Sequence, residues 1–385
     1  MPKISRRLDG FTESVIRATT RLSNKYGATN LSQGFPDFDP PQLLLDSLEK
    51  VAKDGPHQYA ITWGADNFRK ALAKKQSKFM GIPINPDENI VVTCGSTEAM
   101  MVAMMTACNP GDKVIVFSPF YENYVADAIL SGAEPIYVAL NPPNFNFNKE
   151  ELRAAFKKGA KALILCNPSN PSGKVFTNDE LEYIAELAKE FDAYIITDEV
   201  YEHIVYAPNK HCYIAALPEM FERTISCSSL SKTYAITGWR LGYVIASKDV
   251  INGAKKVHDF LTVGAAAPLQ EASVCALKFP DSYYIDLQNK YTALKDKFLG
   301  YLDKAKLTYT KPQGAYYVLV DINPLGWDDD VKFSKWLIKK IGVAGVPGSS
   351  FFREPVKNLI RFHFAKKPET LDIAGEKLLK LAKLI

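Results

Sequence analysis

The chain has 385 residues, 47% of them apolar and 23% charged, with a net charge of +4. That length suggests two domains around a full core, in a soluble globular protein. Lysines and acids are interleaved without a long basic block, so bulk charge gives nucleic-acid binding no support. The longest apolar run, residues 99–108, is too short to span a bilayer.

In chain order, the polar N-terminus (residues 1–9) lacks an apolar core and predicts no signal peptide. Apolar positions at helical spacing then predict a helix over 11–26. Residues 31–41, Leu-Ser-Gln-Gly-Phe-Pro-Asp-Phe-Asp-Pro-Pro, carry three prolines and a glycine, which forbid regular structure. The segment reads as a connector or as the border of a pocket. Helices over 43–53 and 67–79 flank a second irregular aromatic stretch, 57–64.

From residue 89 the pattern alternates. Strands are predicted over 89–94, 113–117, 134–139, 161–166, 193–197 and 224–227, with helices over 98–108, 123–130, 149–157 and 178–190, the last capped by Asn178. Such alternation means a mostly parallel sheet with helices on both faces, an α/β fold. Beyond residue 250 helical patterns dominate, with a long helix near 284–302. Strands over 316–320, 343–346 and 359–364 and helices over 332–340 and 370–384 make a smaller α+β domain.

The six cysteines show no CxxC and read as reduced, buried thiols of a cytoplasmic protein. The five histidines lack ligand spacing, which predicts no protein-bound metal.

In open parallel sheets, ligands bind beyond the carboxyl ends of the strands. The unusual polar residues fall at such ends: Ser96-Thr97, Tyr121, Asn170, Asp198 and Lys232. Taken alone, Lys232 reads as a surface lysine. A free lysine has a pKa of about 10.4 and is a poor nucleophile. Among apolar groups and near another cation it loses its proton more readily and can form a Schiff base with a carbonyl cofactor. Pyridoxal 5′-phosphate requires such a lysine and an acid facing its pyridine nitrogen, for which Asp198 is the candidate. Tyr121 is the candidate stacking ring, and Asn170 and Tyr201 the candidate partners of the ring hydroxyl. Gly95-Ser96-Thr97 at a helix start, with Ser229 and Arg240, suits a phosphate.

Five stretches then carry a specific resemblance. They are Asn-Pro-Ser-Asn-Pro-Ser-Gly (167–173), Thr-Asp-Glu-Val-Tyr (197–201), Ser-Leu-Ser-Lys-Thr-Tyr (229–234), Gly-Trp-Arg-Leu-Gly-Tyr (238–243) and Ile-Arg-Phe-His-Phe (360–364). In this order and spacing the whole chain resembles a class I/II aminotransferase of the fold-type I pyridoxal-phosphate enzymes. Gln-Gly-Phe-Pro-Asp-Phe-Asp (33–39) and Asp-Glu-Val-Tyr-Glu-His-Ile (198–204) look most like the methionine, glutamine and kynurenine branch.

The resemblance implies Lys232 as the Schiff-base lysine, Asp198 as the pyridinium partner, and Asn170 and Tyr201 at the ring hydroxyl. It implies Tyr121 as the stacking ring, and Ser229, Arg240 and Ser96-Thr97 at the phosphate. Arg361, by pattern alone one face of an alternating strand, is implied on the substrate α-carboxylate, assisted by Asn170 and the Gly34 backbone. It also implies a homodimer in which Tyr59 reaches the partner's phosphate, where its residue type alone suggests core packing. The expected division is an N-terminal arm and helix (1–42) joining the small domain, a large domain with a seven-stranded-type sheet (43–280) and a small C-terminal domain (281–385).

The implied reaction moves the α-amino group of a neutral or aromatic L-amino acid to a 2-oxo acid by a ping-pong mechanism. Phe11, Phe35, Tyr59, Trp63 and Tyr121 are expected to rim the pocket, and no arginine stands out as a clamp for a second carboxylate. A C–S β-lyase or an aspartate-type aminotransferase on the same scaffold is the alternative. A nicotinamide dehydrogenase lacks its GxGxxG, a serine hydrolase its GxSxG, and a DNA-binding regulator the room for an added module.

Overall fold

The computed structural model describes residues 2–383. Helix α1 (Val15–Tyr26) starts later than residue 11 because Ser14 caps it. Ser14 Oγ accepts the Arg17 N–H at 3.3 Å, and the Glu122 carboxylate accepts the Val15 N–H at 3.2 Å. Residues Arg6–Gly10 form a separate 3-10 turn. Gly27, at φ 60°, ends α1 in the left-handed conformation that favours glycine. Strand β1 (Thr29–Asn30) leads into the proline-rich stretch, followed by α2 (Gln42–Asp54) and α3 (Asp66–Met80).

The alternating region follows as β2 (Ile90–Thr93), α4 (Ser96–Ala107), β3 (Lys113–Ser118), α5 (Asn123–Ser131), β4 (Glu134–Asn141), β5 (Asn146–Phe147) and α6 (Lys149–Lys157). It continues with β6 (Ala160–Cys166), α7 (Asn178–Glu190), β7 (Tyr194–Asp198), β8 (Thr224–Ser229) and β9 (Gly242–Ile245). These strands form one eight-stranded sheet in the order β2-β9-β8-β7-β6-β3-β4-β5. The two-residue β5 only turns back on β4, so seven strands carry the layer. Strands β8, β7, β6, β3 and β4 run parallel, and β9 is antiparallel to both neighbours.

The runs are apolar throughout because both faces are covered. Ile164, Ile196 and Ile225 pack with Met100 and Met104 of α4 on one face. Leu163, Leu165 and Ile195 pack with Leu152, Leu181 and Ile184 on the other. Helix α7 is capped by Thr177 rather than Asn178: Thr177 and Glu180 form a capping box, which puts Asn178 in the first helical position. All six cysteines are free, but only Cys108, Cys166 and Cys227 are buried; Cys94, Cys212 and Cys275 are half-buried, against the expectation of buried thiols.

The remainder comprises α8 (Lys248–Thr262), α9 (Ala267–Ser273), α10 (Asp281–Lys304), β10 (Thr308–Tyr309), β11 (Tyr317–Asp321) and α11 (Asp330–Trp336). Strands β12 (Val343–Ala344), β13 (Val346–Pro347) and β14 (Leu359–His363) precede α12 (Pro368–Leu378). An antiparallel sheet runs β10-β11-β14-β13, and α10 buries Tyr291, Leu294, Phe298 and Leu302 in the core beside it. The strand expected over 343–346 divides at Gly345, where a Cβ would collide with Ile360 and Phe362. Its first half, β12, pairs with β1, and its second, β13, pairs with β14. The helix expected over 332–340 gives way to a π-helical turn, Leu337–Ile341. The one expected to reach residue 384 ends at Leu378 in a 3-10 turn, Leu379–Lys383; Leu384 lies outside the described residues.

Candidate active site

The carboxyl ends of the parallel strands open into a cavity of about 400 Å³. Its wall takes Ser96 and Thr97 from the start of α4, Tyr121 before α5, Asn170 after β6, Asp198 at the end of β7 and Lys232 after β8. Arg240 and Tyr201 add to that side. Arg361 of β14, Gln33 to Phe35, and Ser14, Ile16 and Arg17 of the α1 region close the other.

Asp198 is buried. It accepts the Tyr124 hydroxyl at 2.7 Å and the Val200 N–H at 3.3 Å. Burial raises its carboxyl above the usual range, opposed by Tyr124, Val200 and the Lys232 charge. The Lys232 ammonium donates to the Gly34 carbonyl at 3.1 Å and lies 5.9 Å from the Tyr201 ring and 5.8 Å from the Tyr316 ring. Burial pushes its pKa down to about 8, against the attraction of Asp198, with Arg240 and Arg361 adding to the push.

Strand alternation turns Ile360 and Phe362 into the core beside α10 and sends Arg361 the other way. Its guanidinium is fully buried between the rings of Tyr317 and Phe351, 4.4 Å from each. Nη1 donates to Asn170 Oδ1 at 2.7 Å and Nη2 to the Ser32 carbonyl at 2.8 Å, while Nε has no partner. Among the described residues no carboxylate pairs with it. Burial lowers its pKa. A desolvated cation held only by neutral oxygens is costly, and a carboxylate ligand relieves that cost.

Arg240 Nη1 donates to the Thr237 carbonyl at 2.9 Å and Nη2 reaches the Cys94 carbonyl at 3.5 Å. Gly95, at φ 84°, turns the chain into α4, and a Cβ there would strike the Arg240 guanidinium. This packing brings a cation to a helix N-terminus, an arrangement suited to a phosphate.

Lys232, Asp198, Tyr201, Ser96, Thr97, Tyr121, Asn170, Arg240, Gly34 and Arg361 thus share one cavity, as expected. Two do not line it: Gly95 stands directly behind, and Ser229 is buried with Oγ accepting the Ser231 N–H at 3.3 Å, leaving Ser231 on the wall. Tyr59 is 87% exposed, so it is no core residue, and it stands outside the cavity. Of the aromatic rim, Phe35 and Tyr121 line the cavity; Phe11 and Trp63 do not, and Trp63 lies under Lys255 Nζ at 4.7 Å. The Gly34 carbonyl also accepts the Tyr316 hydroxyl at 2.9 Å, so any contact with a carboxylate falls to its N–H.

Sequence reasoning passed over Tyr124, Tyr317 and Arg17. Tyr124 follows Tyr121 by three residues, a helical spacing that marks it. Tyr317 shares a 2.9 Å hydroxyl contact with Tyr201, a pairing across 116 residues that no local pattern signals. Arg17 sits on an amphipathic helix, where a cation is unremarkable.

Residues 27–378 match the family Aminotransferase class I and II. The methionine aminotransferase of Escherichia coli K12 is 35% identical over 96% of this chain and 96% of its own length. Kynurenine–oxoglutarate transaminase 3 of Bos taurus is 34% identical over 97% of this chain and 89% of its own. The solved N-succinyldiaminopimelate aminotransferase of Mycobacterium tuberculosis superposes with a TM-score of 0.95 at 34% identity, covering 99% of this chain and 100% of that one. The chain belongs to the class I and II aminotransferases.

Proposed function

We propose that this aminotransferase moves the α-amino group of a neutral or aromatic L-amino acid, of the methionine, glutamine, kynurenine or phenylalanine type, to a 2-oxo acid in two ping-pong half-reactions. The observation that carries the reading is the shared cavity of Lys232, Asp198 and Arg361, in which a buried guanidinium has no acidic partner among the described residues.

Enzymes of this family use pyridoxal 5′-phosphate, which when bound supplies an aldehyde for amines and a ring that draws electrons from the Cα–H bond. The residues fit it: an amine depressed towards neutrality, a buried carboxylate, and a helix start whose Gly95 a Cβ would fill. Lys232 holds the aldehyde and Asp198 the ring nitrogen. Asn170 and Tyr201 hold the ring hydroxyl, Tyr121 stacks on the ring, and Ser96, Thr97 and Arg240 take the phosphate, with Ser231 rather than the buried Ser229 on the cavity wall. Tyr124 and the Val200 N–H orient Asp198 and favour its charged form.

Arg361 binds the substrate α-carboxylate with Asn170 and the Gly34 N–H beside it. That contact orients the Cα–H bond, and Lys232 Nζ, near neutral, takes up the Cα proton and holds it for the return transfer. The relatives' names span several donors, so the donor class is read from the lining: Ile16, Phe35 and Tyr121 favour an apolar or aromatic side chain.

The working unit is a homodimer in which Tyr59 reaches the partner's phosphate. Tyr59 and Phe260, 87% and 91% exposed, support this reading as two large rings standing in water on neighbouring segments. Their segments adjoin: His258 Nε2 contacts the Thr62 carbonyl at 2.9 Å, and Cys94 Sγ approaches the Gly264 carbonyl at 3.9 Å beside Gly95. Residues 1–42, 43–280 and 281–385 act as arm, large domain and small domain, a division supported by the pairing of β1 with β12. Six free cysteines fit a cytoplasmic location, and no described helix is long and apolar enough to cross a membrane.

The test is a panel of amino-acid donors against 2-oxo acids. Methionine, glutamine, kynurenine or phenylalanine is expected to lead; aspartate leading by a wide margin overturns the donor assignment.

A further inference from the structure

Glu98 stands in the first turn of α4, directly after Ser96 and Thr97. The N–H groups of Ser96, Thr97 and Glu98 find no acceptor among the described residues, which leaves that helix start open to an anion. A carboxylate in the same turn suits the helix but repels a phosphate bound there. The Glu98 side chain is largely buried and fully engaged. Oε2 accepts the Cys94 N–H, and Oε1 accepts the Thr262 hydroxyl at 2.8 Å and meets His258 Nδ1 at 2.7 Å. Burial pushes the Glu98 carboxyl up, but His258, the Cys94 N–H and Thr262 outweigh it and hold it below the usual range. His258 is fully buried, and its Nε2 lies 2.9 Å from the Thr62 carbonyl. A carbonyl only accepts, so Nε2 carries a proton. Nδ1 faces a carboxylate oxygen, so a second ring proton fills that contact and makes the ring a cation; without it two lone pairs would meet at 2.7 Å. Among the described residues neither Glu98 nor His258 makes an ion pair with any other group.

We infer that His258 and Glu98 are positioning residues for the cofactor phosphate, the imidazolium cancelling the Glu98 charge at the helix start that receives it. The inference rests on the proposal above that Ser96, Thr97 and Arg240 take the phosphate. The pair also fixes the shape of that site. Glu98 holds the Cys94 N–H while Arg240 Nη2 reaches the Cys94 carbonyl at 3.5 Å, so the turn at Gly95 that aims the free N–H groups is gripped from both ends. His258 ties this turn to α8, which carries it, and to the Thr62 segment. A neutral side chain at 258 leaves the Glu98 carboxylate unpaired one residue from Thr97, where its charge opposes a phosphate dianion. Removing both charges together restores neutrality. With amides at 98 and 258, the first accepts the Cys94 N–H and donates to the second, which donates to the Thr62 carbonyl.

The test titrates the full, cofactor-free chain with pyridoxal 5′-phosphate and with pyridoxal, which has the same ring and aldehyde but no phosphate, and follows binding by absorbance. His258→Gln is expected to weaken binding of pyridoxal 5′-phosphate about tenfold or more and that of pyridoxal by less than about twofold. Adding Glu98→Gln is expected to recover most of the loss, which a merely structural role would deepen instead. The inference is overturned if His258→Gln leaves the affinity for pyridoxal 5′-phosphate unchanged, if both ligands weaken equally, or if the double substitution binds no better than His258→Gln alone. A wild type that binds pyridoxal as tightly as pyridoxal 5′-phosphate removes the phosphate assignment itself, and the inference with it. Should His258→Gln fail to fold, nitrogen NMR of histidine-labelled holoenzyme decides the question: both ring nitrogens of His258 are expected to carry protons at neutral pH, and a bare Nδ1 overturns the inference.

Discussion

Replacing Arg361 with Met separates what that residue does for the reaction from what it does for the fold. The wild-type guanidinium is buried, gives two hydrogen bonds to neutral oxygens and keeps Nε unpartnered. Losing its contact with a substrate carboxylate removes one side of a desolvated charge pair, worth about 2–5 kcal/mol. That corresponds to a fall in kcat/KM between about thirtyfold and several thousandfold. Stability moves differently. Met relieves the several kcal/mol spent on burying an unpaired cation, and it strands the Asn170 and Ser32 oxygens at about 1–3 kcal/mol each. These roughly cancel, so the thermal midpoint is expected to shift by only a few degrees.

The assay is a single-turnover half-reaction of holoenzyme with methionine and with its decarboxylated amine, alongside thermal unfolding. The amine has no carboxylate for Arg361 to bind, so its rate is expected to change little. The reasoning is refuted if methionine retains kcat/KM within tenfold of wild type, or if methionine and the amine lose activity together.

Lys232→Ala is expected to bind pyridoxal phosphate with an altered absorption spectrum and to lose amino transfer; turnover at the wild-type rate contradicts the assignment. The folded pKa of Lys232, about 8, lies below the ordinary lysine value of about 10.4, so between these values the unfolded chain holds more protons. The cost of burying the ammonium is complete below pH 8 and fades as pH rises towards 10.4. The cofactor-free wild type should therefore gain up to about 3 kcal/mol relative to Lys232→Met between pH 7 and pH 10.5, as urea unfolding would read. A constant difference refutes it. Thr177→Ala removes the α7 capping box and is expected to cost about 1 kcal/mol with kcat unchanged, whereas Asn178→Ala should cost less than half of that.

The strand ends were legible because two local signals coincide there: apolar runs of strand length, and loops dense in groups that only a ligand explains. Lys232 and Asp198 were placed that way, with the family resemblance supplying their roles, whereas Arg361, in the middle of an alternating strand, was placed by the resemblance alone. What stayed hidden depends on contacts between distant segments. The cap moved from Asn178 to Thr177 because only the folded backbone decides which residue leaves the helix. Gly345 splits a strand because Ile360 and Phe362 pack against its bare Cα. Ser229 fell behind Ser231 because the strand ends at Ser229 and the turn that follows carries Ser231 onto the cavity wall. Arg17 was invisible because an exposed arginine on an amphipathic helix has the same local pattern whether or not a cavity opens beneath it.

The most direct measurement is reduction of the holoenzyme with borohydride, followed by proteolysis and mass mapping. The account predicts the reduced cofactor's mass on the peptide carrying Lys232 and on no other lysine. Cofactor fixed to a different lysine, or to none, contradicts it.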